Sequence, residues 1–234
     1  DTTLAVALLN TLNGNTSGSV NAGTLTTLSG TAADLNTAYG AAGITGLGNE
    51  AATVSDTTLA VATLNTLDGN TIGTVNAATI NTLTGSAAAA NTAYASGGIT
   101  NLADEAVTLT DTTVAAADIN TLDTNTSGLI DAGTVNTITG TVSAVTTAFN
   151  ANNGAAIKDL GDNEAVTLSD TSIAVADINT LDGLTSGLIN ASSITTVTGA
   201  ITAVNTAFAA NNTTAISNFG DTEDVTLSSE AGVA

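Results

Sequence analysis

The side chains of this sequence that can do chemistry are almost all carboxylates. The 234 residues carry 21 acidic side chains and one basic one, Lys158, and they include no His and no Cys. Because imidazole and thiol groups are missing, the chain cannot form a histidine-assisted nucleophile, and it lacks the usual ligands of zinc, haem and iron–sulfur clusters. Carboxylate oxygens remain, and Ca²⁺ takes such ligands at about 2.3–2.6 Å.

The acids gather at one recurring place, just before a segment that alternates apolar residues with Thr. If copies of this segment stack, the acids form a column along one corner, where a loop can supply several oxygens to Ca²⁺. The candidate metal ligands are Asp104, Glu105, Asp162, Glu164, Asp221, Glu223 and Asp224, with Glu50 at the same place in the first copy. No Asp-x-Asp-x-Asp-Gly loop occurs. The sequence therefore favours a second interpretation, a solvated acidic rim that keeps the protein soluble.

Composition excludes several classes of function. One lysine cannot neutralise a run of phosphates, so we expect no nucleic-acid binding. The uncharged stretch from Gly69 to Ala103 is interrupted throughout by Asn, Thr and Gly, which makes it too polar for insertion into a membrane. Glycosidase chemistry needs two carboxylates in a cleft, and sugar sites usually add exposed aromatic residues. The chain has only five Tyr and Phe residues, so we expect no enzymatic activity.

Four copies of one unit position these acids. The hexapeptide Asp-Thr-Thr-Leu-Ala-Val at residue 1 returns at residue 56 and, with substitutions, at residues 111 and 170, so two equal periods are followed by a slightly longer one. The first two copies are identical at 35 of 55 aligned positions. The predicted repeats are residues 1–55, 56–110, 111–169 and 170–228, followed by a tail of residues 229–234.

The hydrophobic period changes within each repeat, as the second repeat illustrates. Residues 59–67 follow helical spacing up to Gly69, a typical stop. Residues 72–84 are β-branched and rich in Thr, which predicts a bent strand. Residues 86–95 predict a second helix, and residues 106–110 alternate apolar residues with Thr as a half-buried strand does. Each repeat thus reads strand–helix–strand–helix.

These elements predict an α/β repeat solenoid of four units with mainly parallel strands, in which all repeats belong to one continuous array. Short links between alternating strands and helices favour parallel pairing. A single repeat has too few large apolar side chains to fold alone, and stacking lets neighbours share their buried faces. The alternative is an all-β solenoid with ladders of Thr. Ala-rich runs such as residues 86–90 favour helices.

Two further sets of residues recur with the repeats and have structural roles in this prediction. Asp56, Asp111 and Asp170 precede the first helix of their repeats, where a carboxylate caps the exposed N–H groups of the next turn. The second set is the aromatic residue that ends an Asn/Thr-Thr-Ala-aromatic motif in the second predicted helix of each repeat: Tyr39, Tyr94, Phe149 and Phe208. We expect these four aromatic side chains to follow one another in a row through the core.

Two short motifs carry a resemblance to known proteins. They are Val166-Thr-Leu-Ser-Asp-Thr171 with Val107-Thr-Leu-Thr-Asp-Thr112, and Leu28-Ser-Gly-Thr-Ala-Ala33 with Leu83-Thr-Gly-Ser-Ala-Ala88. The repeats resemble those of very large repetitive surface or secreted proteins of bacteria, in particular marine cyanobacteria, and the resemblance covers essentially the whole chain. It implies an adhesin, a surface-layer component or a motility-associated protein, located outside the cell. Calcium-binding modules occur in such proteins, but their glycine-rich nonapeptide repeat is missing here.

We therefore expect a structural extracellular protein: a rod-like spacer, adhesin stalk, surface-layer part or filament subunit. Its expected partners are other copies of itself or flanking repeats of a longer chain. The chain starts at Asp1, after the place of a strand, and closes with the strand Asp224-Val-Thr-Leu-Ser228. That spare strand can complete a neighbour head to tail; a piece cut from a longer array is the alternative. The competing function is a surface module that binds calcium, a carbohydrate or ice. No cofactor other than Ca²⁺ is a candidate.

Overall fold

The structure is a computed structural model, and it describes residues 2–153, 156–161, 163–211, 215–219 and 222–228. These residues form eight α-helices and twenty short β-strands. Paired strands run parallel; Ala52, for example, lies in register with Val75, and Thr137 with Ala165. We call the stretch of chain from one strand to its register partner a coil, and each repeat makes two coils. The predicted α/β solenoid with parallel strands is confirmed, and the all-β alternative is wrong.

Two helices belong to each repeat. They are α1 (Val6–Asn15), α2 (Ala32–Gly40), α3 (Val61–Asn70), α4 (Ala87–Ala95), α5 (Ala116–Asn125), α6 (Val142–Asn153), α7 (Val175–Asp182) and α8 (Ile201–Asn211). Small inner faces let the layers approach closely, as where α4 buries Ala87, Ala90 and Ala93. The predicted helix over residues 59–67 is displaced, because Leu59 and Ala60 form a strand and the helix continues through Gly69 to Asn70. No helix in the described part of the chain has the length and apolarity to cross a bilayer.

The strands are of three kinds, named by their place relative to the helices. Pre-helix strands lead into a helix: β1 (Thr3–Ala5), β3 (Thr27–Gly30), β6 (Thr58–Ala60), β8 (Thr82–Gly85), β11 (Thr113–Ala115), β13 (Thr137–Gly140), β16 (Ser172–Ala174) and β18 (Thr196–Gly199). Post-helix strands follow one: β2 (Val20–Asn21), β4 (Ile44–Thr45), β7 (Val75–Asn76), β9 (Ile99–Thr100), β12 (Ile130–Asp131), β14 (Ile157–Lys158), β17 (Ile189–Asn190) and β19 (Ile216–Ser217). Once per repeat, a middle strand comes directly after a post-helix strand: β5 (Ala51–Val54), β10 (Ala106–Leu109), β15 (Ala165–Leu168) and β20 (Asp224–Leu227).

The chain divides into two compact units, of which the first comprises Asp1–Thr108 and Asn125–Leu129. Its five-stranded sheet has the order β1-β3-β5-β7-β9, which is two pre-helix strands, a middle strand and two post-helix strands. The unit also holds the two-stranded sheet β2-β4 and the parallel pair β6-β8. Residues of the same type lie side by side on paired strands; Leu59, for example, is in register with Leu83. The inner face of the unit is therefore aliphatic from coil to coil.

The second unit comprises Leu109–Thr124 and Ile130–Ala234. Its sheet β11-β13-β15-β17-β19 repeats the order of two pre-helix strands, one middle strand and two post-helix strands. It also holds the three-stranded sheet β16-β18-β20 and the parallel pair β12-β14. The middle strand is thus the point at which a sheet passes from the pre-helix to the post-helix side of the coil. Four repeats in one continuous array stay a prediction.

Asparagine side chains join neighbouring helices within each unit. The Nδ2 donor is in the first helix of a repeat, and the accepting carbonyl is in the first turns of the second helix. The bonds are Asn10 to Asp34 (3.0 Å), Asn65 to Ala89 (2.9 Å), Asn120 to Ala144 (2.9 Å) and Asn179 to Ala203 (3.1 Å). An amide that bonds a carbonyl of the adjacent helix fixes the register between the two helices without a large side chain.

The recurring aspartates cap a different helix from the predicted one. Asp56 Oδ2 accepts from the N–H of Ala32, the first residue of α2, at 2.8 Å, and Asp170 Oδ2 accepts from the N–H of Val142, the first residue of α6, at 2.8 Å. The residue that precedes α3 is Ala60, which makes no side-chain cap bond. The prediction that Asp56 and Asp170 cap the helix that follows them is wrong, because the coil brings each carboxylate to the helix before it.

The predicted row of buried aromatic side chains is also largely wrong. Phe149 is fully buried, whereas Tyr39, Tyr94 and Phe208 are only half-buried. Phe219, for which the sequence predicted no role, is fully buried and meets Phe208 edge to face with ring centroids 5.2 Å apart. Apart from Phe149 and Phe219, the described interior is filled by Val, Leu, Ile and Ala.

Candidate functional site

Every middle strand is preceded by a glutamate at the end of a short turn. The residues are Glu50 before β5, Glu105 before β10, Glu164 before β15 and Glu223 before β20. We call the segments that end at these residues the glutamate turns (residues 48–50, 103–105, 161 with 163–164, and 222–223). Their acids were the candidates for metal ligands, and their surroundings show what the carboxylates do.

In the first three turns the carboxylate folds back onto its own backbone. One oxygen, Oε2, accepts N–H groups that the tight turn leaves without a carbonyl partner. The bonds to Glu50 come from Gly48 (2.8 Å) and Asn49 (3.2 Å), the bond to Glu105 from Ala103 (2.9 Å), and those to Glu164 from Gly161 (2.6 Å) and Asn163 (3.3 Å). Hydrogen bonds to a charged acceptor are stronger than neutral ones, so each carboxylate stabilises its turn.

These three glutamates are buried. Their exposed fractions are 1% for Glu50, 2% for Glu105 and 4% for Glu164. The interpretation of the acids as a solvated rim is therefore wrong for these residues. A buried charge is costly unless hydrogen bonds compensate it, which explains why each turn directs backbone N–H groups at the carboxylate.

The next coil closes over each glutamate through a Thr-x-Gly segment. The threonine Oγ1 donates to the glutamate backbone carbonyl: Thr71 to Glu50 (2.9 Å), Thr126 to Glu105 (2.7 Å) and Thr185 to Glu164 (3.2 Å). The same Oγ1 accepts from the N–H of the glycine two positions later, in each case at 2.9 Å. These buried threonines were missed in the sequence, although the constant spacing from glutamate to threonine was a signal that pointed to them.

The glycine of each Thr-x-Gly segment lies against the backbone of the glutamate. A Cβ added at Gly73, Gly128 or Gly187 would overlap the carbonyl group of Glu50, Glu105 or Glu164. Only glycine permits this approach between two backbones, which explains why the residue recurs at that place in the sequence. Glutamate, threonine and glycine together form a latch between consecutive coils.

In the first two repeats a tyrosine completes the latch. The Tyr94 hydroxyl donates to Glu105 Oε2 at 3.1 Å, and the Tyr39 hydroxyl lies 3.5 Å from the Glu50 carbonyl oxygen. Burial raises the pKa of the Tyr94 phenol above its usual range, and the negative charge of Glu105 raises it further. Burial likewise raises the pKa of Tyr39. Both phenols are therefore held in their neutral, donating form.

The last two repeats have phenylalanine in place of tyrosine and a longer loop after it. An asparagine of the preceding helix performs the local bonding there. Asn152 Oδ1 accepts from the N–H of Leu160, and Asn211 Oδ1 accepts from the N–H of Phe219, both at 3.1 Å. The latch of the third repeat, Glu164 with Thr185, thus forms without a tyrosine hydroxyl, and Asn152 bonds the backbone nearby instead.

Those predicted calcium ligands that the structure describes do not come together. Glu105 and Glu164 point into their own turns, Asp104 and Asp224 are exposed, and Glu223 is half-exposed with Oε2 accepting from the N–H of Thr222 at 3.1 Å. Asp162 and Asp221 lie outside the described residues. Within the part of the chain that the structure describes, no three acidic side chains converge on a point that could hold a metal ion. Two buried side-chain oxygens have no hydrogen-bond partner in that part of the chain, Glu50 Oε1 and Asn120 Oδ1, and of these only Glu50 Oε1 belongs to an acid.

The arrangement joins coils to one another, and its chemistry is hydrogen bonding. Comparison with family models, with curated proteins and with solved structures finds no match to this chain.

Proposed function

We propose that this is a structural extracellular repeat protein, which extends a surface adhesin, a surface layer or a filament. The main support is that the polar residues which recur in the repeats bond from one coil to the next: Glu105 with Thr126, Asn65 with Ala89, and Asp56 with Ala32. An array in which every repeat makes the same contacts grows in length by repetition, which is what a spacer or stalk requires.

The remaining surface is consistent with that role. The chain carries a net charge of −20, and charge of one sign keeps an extended array soluble and discourages lateral association. The extracellular location is inferred from the resemblance of the repeats to surface and secreted proteins. It predicts that antibodies raised against this chain label intact, unpermeabilised cells of the source organism. Labelling only after permeabilisation would contradict that location.

Growth by repetition can be tested by adding a repeat. A second copy of residues 56–110, inserted after Thr110, should fold, because the new junctions reproduce existing ones. Small-angle X-ray scattering should then show a maximum dimension that rises by a constant step with each copy inserted. A dimension that rises only as the cube root of the mass, as in a globular protein, would overturn the proposal.

Calcium binding is the second candidate, and Glu50 Oε1 is the observation that favours it. A buried carboxylate oxygen without a partner is a candidate ligand for a hard cation. If calcium binds there, millimolar CaCl₂ should raise the melting temperature relative to EDTA, since a ligand that binds only the folded state stabilises it. Glu50→Gln should abolish that rise, and an unchanged melting temperature in the parent protein would remove this candidate.

A further inference from the structure

A cleft of about 240 Å³ lies between α6 and α7. At about 30 Å³ per water molecule, it has room for roughly eight waters or for one small ring. Its lining is mostly polar and includes one carboxylate: Ser143, Thr146, Thr147, Asp177 and Thr180, with Val142 as the apolar member. All six residues belong to the second unit, and the contacts between coils described above use none of their side chains except as helix residues.

The cleft lies where amide side chains bridge the corresponding helices of the first unit. Asn36 Nδ2 in α2 donates to the Thr63 carbonyl in α3 at 3.1 Å, and Asn36 Oδ1 accepts from Asn70 Nδ2 at 2.9 Å. At the equivalent positions of the second unit, Thr146 stands in place of Asn36, and Leu184 in place of Asn70. The leucine side chain has no polar group, and the threonine side chain is shorter than asparagine. These two replacements therefore remove the amide bridge at this junction and leave it open.

The hydrogen-bonding groups of the cleft include both acceptors and donors. Thr147 and Thr180 donate their hydroxyl protons to carbonyl groups one helical turn earlier, both at 2.9 Å, so their oxygens can only accept from a ligand. The Asp177 carboxylate is exposed and also only accepts. The Thr146 hydroxyl makes no hydrogen bond within the described residues and can donate as well. A matching ligand therefore carries several groups that both donate and accept.

We propose that the cleft between α6 and α7 binds one sugar ring through its hydroxyl groups. Each sugar hydroxyl both donates and accepts, so two neighbouring hydroxyls can donate to the Asp177 carboxylate while another accepts from Thr146. Val142 supplies an apolar contact for the C–H groups of the ring. A metal ion or an ammonium group would meet a single carboxylate and leave most of the cleft unfilled.

This binding goes beyond the proposed structural function, because a spacer needs no ligand. Four of the lining residues are exposed, so the cleft is open to solvent: Ser143, Thr147, Asp177 and Thr180. Such a cleft admits either a free sugar or the last ring of a glycan chain. The shared chemistry is the ring with its hydroxyl groups, and the experiment separates the two sources.

Saturation-transfer difference NMR on the full chain tests the site with four probes: glucose, galactose, mannose and N-acetylglucosamine. We expect saturable binding of at least one of them, with a dissociation constant in the millimolar range because a single ring buries little surface. A glycan that ends in the same sugar should bind more tightly if the ligand is a chain end, and more weakly if it is the free sugar. No saturable binding of any probe up to about 100 mM would overturn the proposal.

Three variants connect the binding with the cleft. Thr146→Asn introduces the residue found in α2, narrows the cleft and keeps the net charge, so it should weaken binding at least about tenfold with an unchanged melting temperature. Asp177→Asn removes the charged acceptor and should also weaken binding about tenfold. Asp182→Asn is the matched control, because it removes a carboxylate of the same helix that does not line the cleft.

The control variant should bind like the parent. Equal binding by Thr146→Asn and the parent, or equal losses in Asp177→Asn and Asp182→Asn, would contradict the site. A chain that lengthens with inserted repeats but binds none of the four sugars would keep the structural function and lose only this proposal.

Discussion

Glu105 and Glu223 occupy the same place in two glutamate turns, yet their surroundings differ. Glu105 is buried, its carbonyl accepts from Thr126, and Gly128 lies against its backbone. Glu223 is half-exposed, and no further coil follows it within the described residues. The comparison teaches that a turn of this kind is completed by the coil after it. The contribution of a glutamate turn to the free energy of unfolding therefore depends on both the coil that contains the turn and the coil that follows it.

The strongest test of this comparison is a methyl group at the closest backbone contact. Gly128→Ala places a Cβ within the carbonyl group of Glu105, where only backbone can move. We expect a loss of about 3 kcal/mol in the free energy of unfolding, because overpacking against backbone has no flexible side chain to absorb it. Urea denaturation followed by circular dichroism measures the change.

Gly18→Ala is the matched control for that variant. The new Cβ would have only Thr16 Oγ1 nearby, at 3.5 Å. We expect stability within about 0.5 kcal/mol of the parent. Similar losses in the two variants would mean that the following coil does not determine the cost, and the comparison would fail.

Removal of the carboxylate should give the next largest effect. Glu105→Ala leaves the Ala103 N–H and the Tyr94 hydroxyl without their acceptor, so we expect a loss of about 2 kcal/mol. Glu223→Ala should change the unfolding of the monomer little, because that turn is already solvated. Glu105→Gln keeps one acceptor oxygen and should recover part of the loss. A destabilisation by Glu223→Ala as large as that by Glu105→Ala would contradict this account.

The threonine hydroxyl should contribute less. Thr126→Val keeps the shape of the side chain but removes the bonds to the Glu105 carbonyl and the Gly128 N–H, which predicts a loss of roughly 1 kcal/mol. Thr16→Val removes an exposed hydroxyl whose Oγ1 accepts from the N–H of Gly18 at 3.0 Å, and it should lower the thermal midpoint less than Thr126→Val does. A lower thermal midpoint for Thr16→Val than for Thr126→Val would contradict the stabilising role of the Thr126 hydroxyl.

The smallest expected effect depends on pH. The pKa of Tyr94 is raised by burial and by Glu105, so its neutral form is favoured in the folded state. Its contribution to stability is complete below the unfolded pKa of about 10 and is lost as pH rises above that value. Thermal melts should therefore fall less steeply with alkaline pH in Tyr94→Phe than in the parent. Identical slopes of melting temperature against pH in the two proteins would show that the Tyr94 phenol is not coupled to the glutamate turn of residues 103–105.

Much of the fold could be predicted from the sequence, because the repeats and their hydrophobic periods are local signals. The helix over residues 86–95 appears as α4, Ala87–Ala95, with Ser86 as its N-cap. The strand over residues 106–110 appears as β10. The register of paired strands did not follow from the repeat period, because paired residues such as Leu59 and Leu83 belong to the same repeat.

Contacts between coils could not be predicted from neighbours in the sequence. Asp56 stands near α3 along the chain, but the coil carries its carboxylate back to Ala32 at the start of α2. Glu105 was assigned to a solvated rim because acidity is usually a surface property, and its burial depends on the later coil that holds Thr126. Only the joint recurrence of glutamate, threonine and glycine at fixed distances in the sequence could have indicated the latch.

The middle strand has a mechanical consequence. In the first unit, the coil that holds β3 and β4 is joined to the coil that holds β5 and β6 by one short ladder, β3-β5, because β4 pairs with β2 and β6 pairs with β8. The next junction has two ladders, β5-β7 and β6-β8. Side chains and helix packing hold the single-ladder junction as well: α2 packs against α3, Asn36 Nδ2 donates to the Thr63 carbonyl at 3.1 Å, and Thr71 Oγ1 donates to the Glu50 carbonyl at 2.9 Å. Where the backbone supplies only one ladder, side-chain bonds and helix packing therefore carry more of the cohesion between coils.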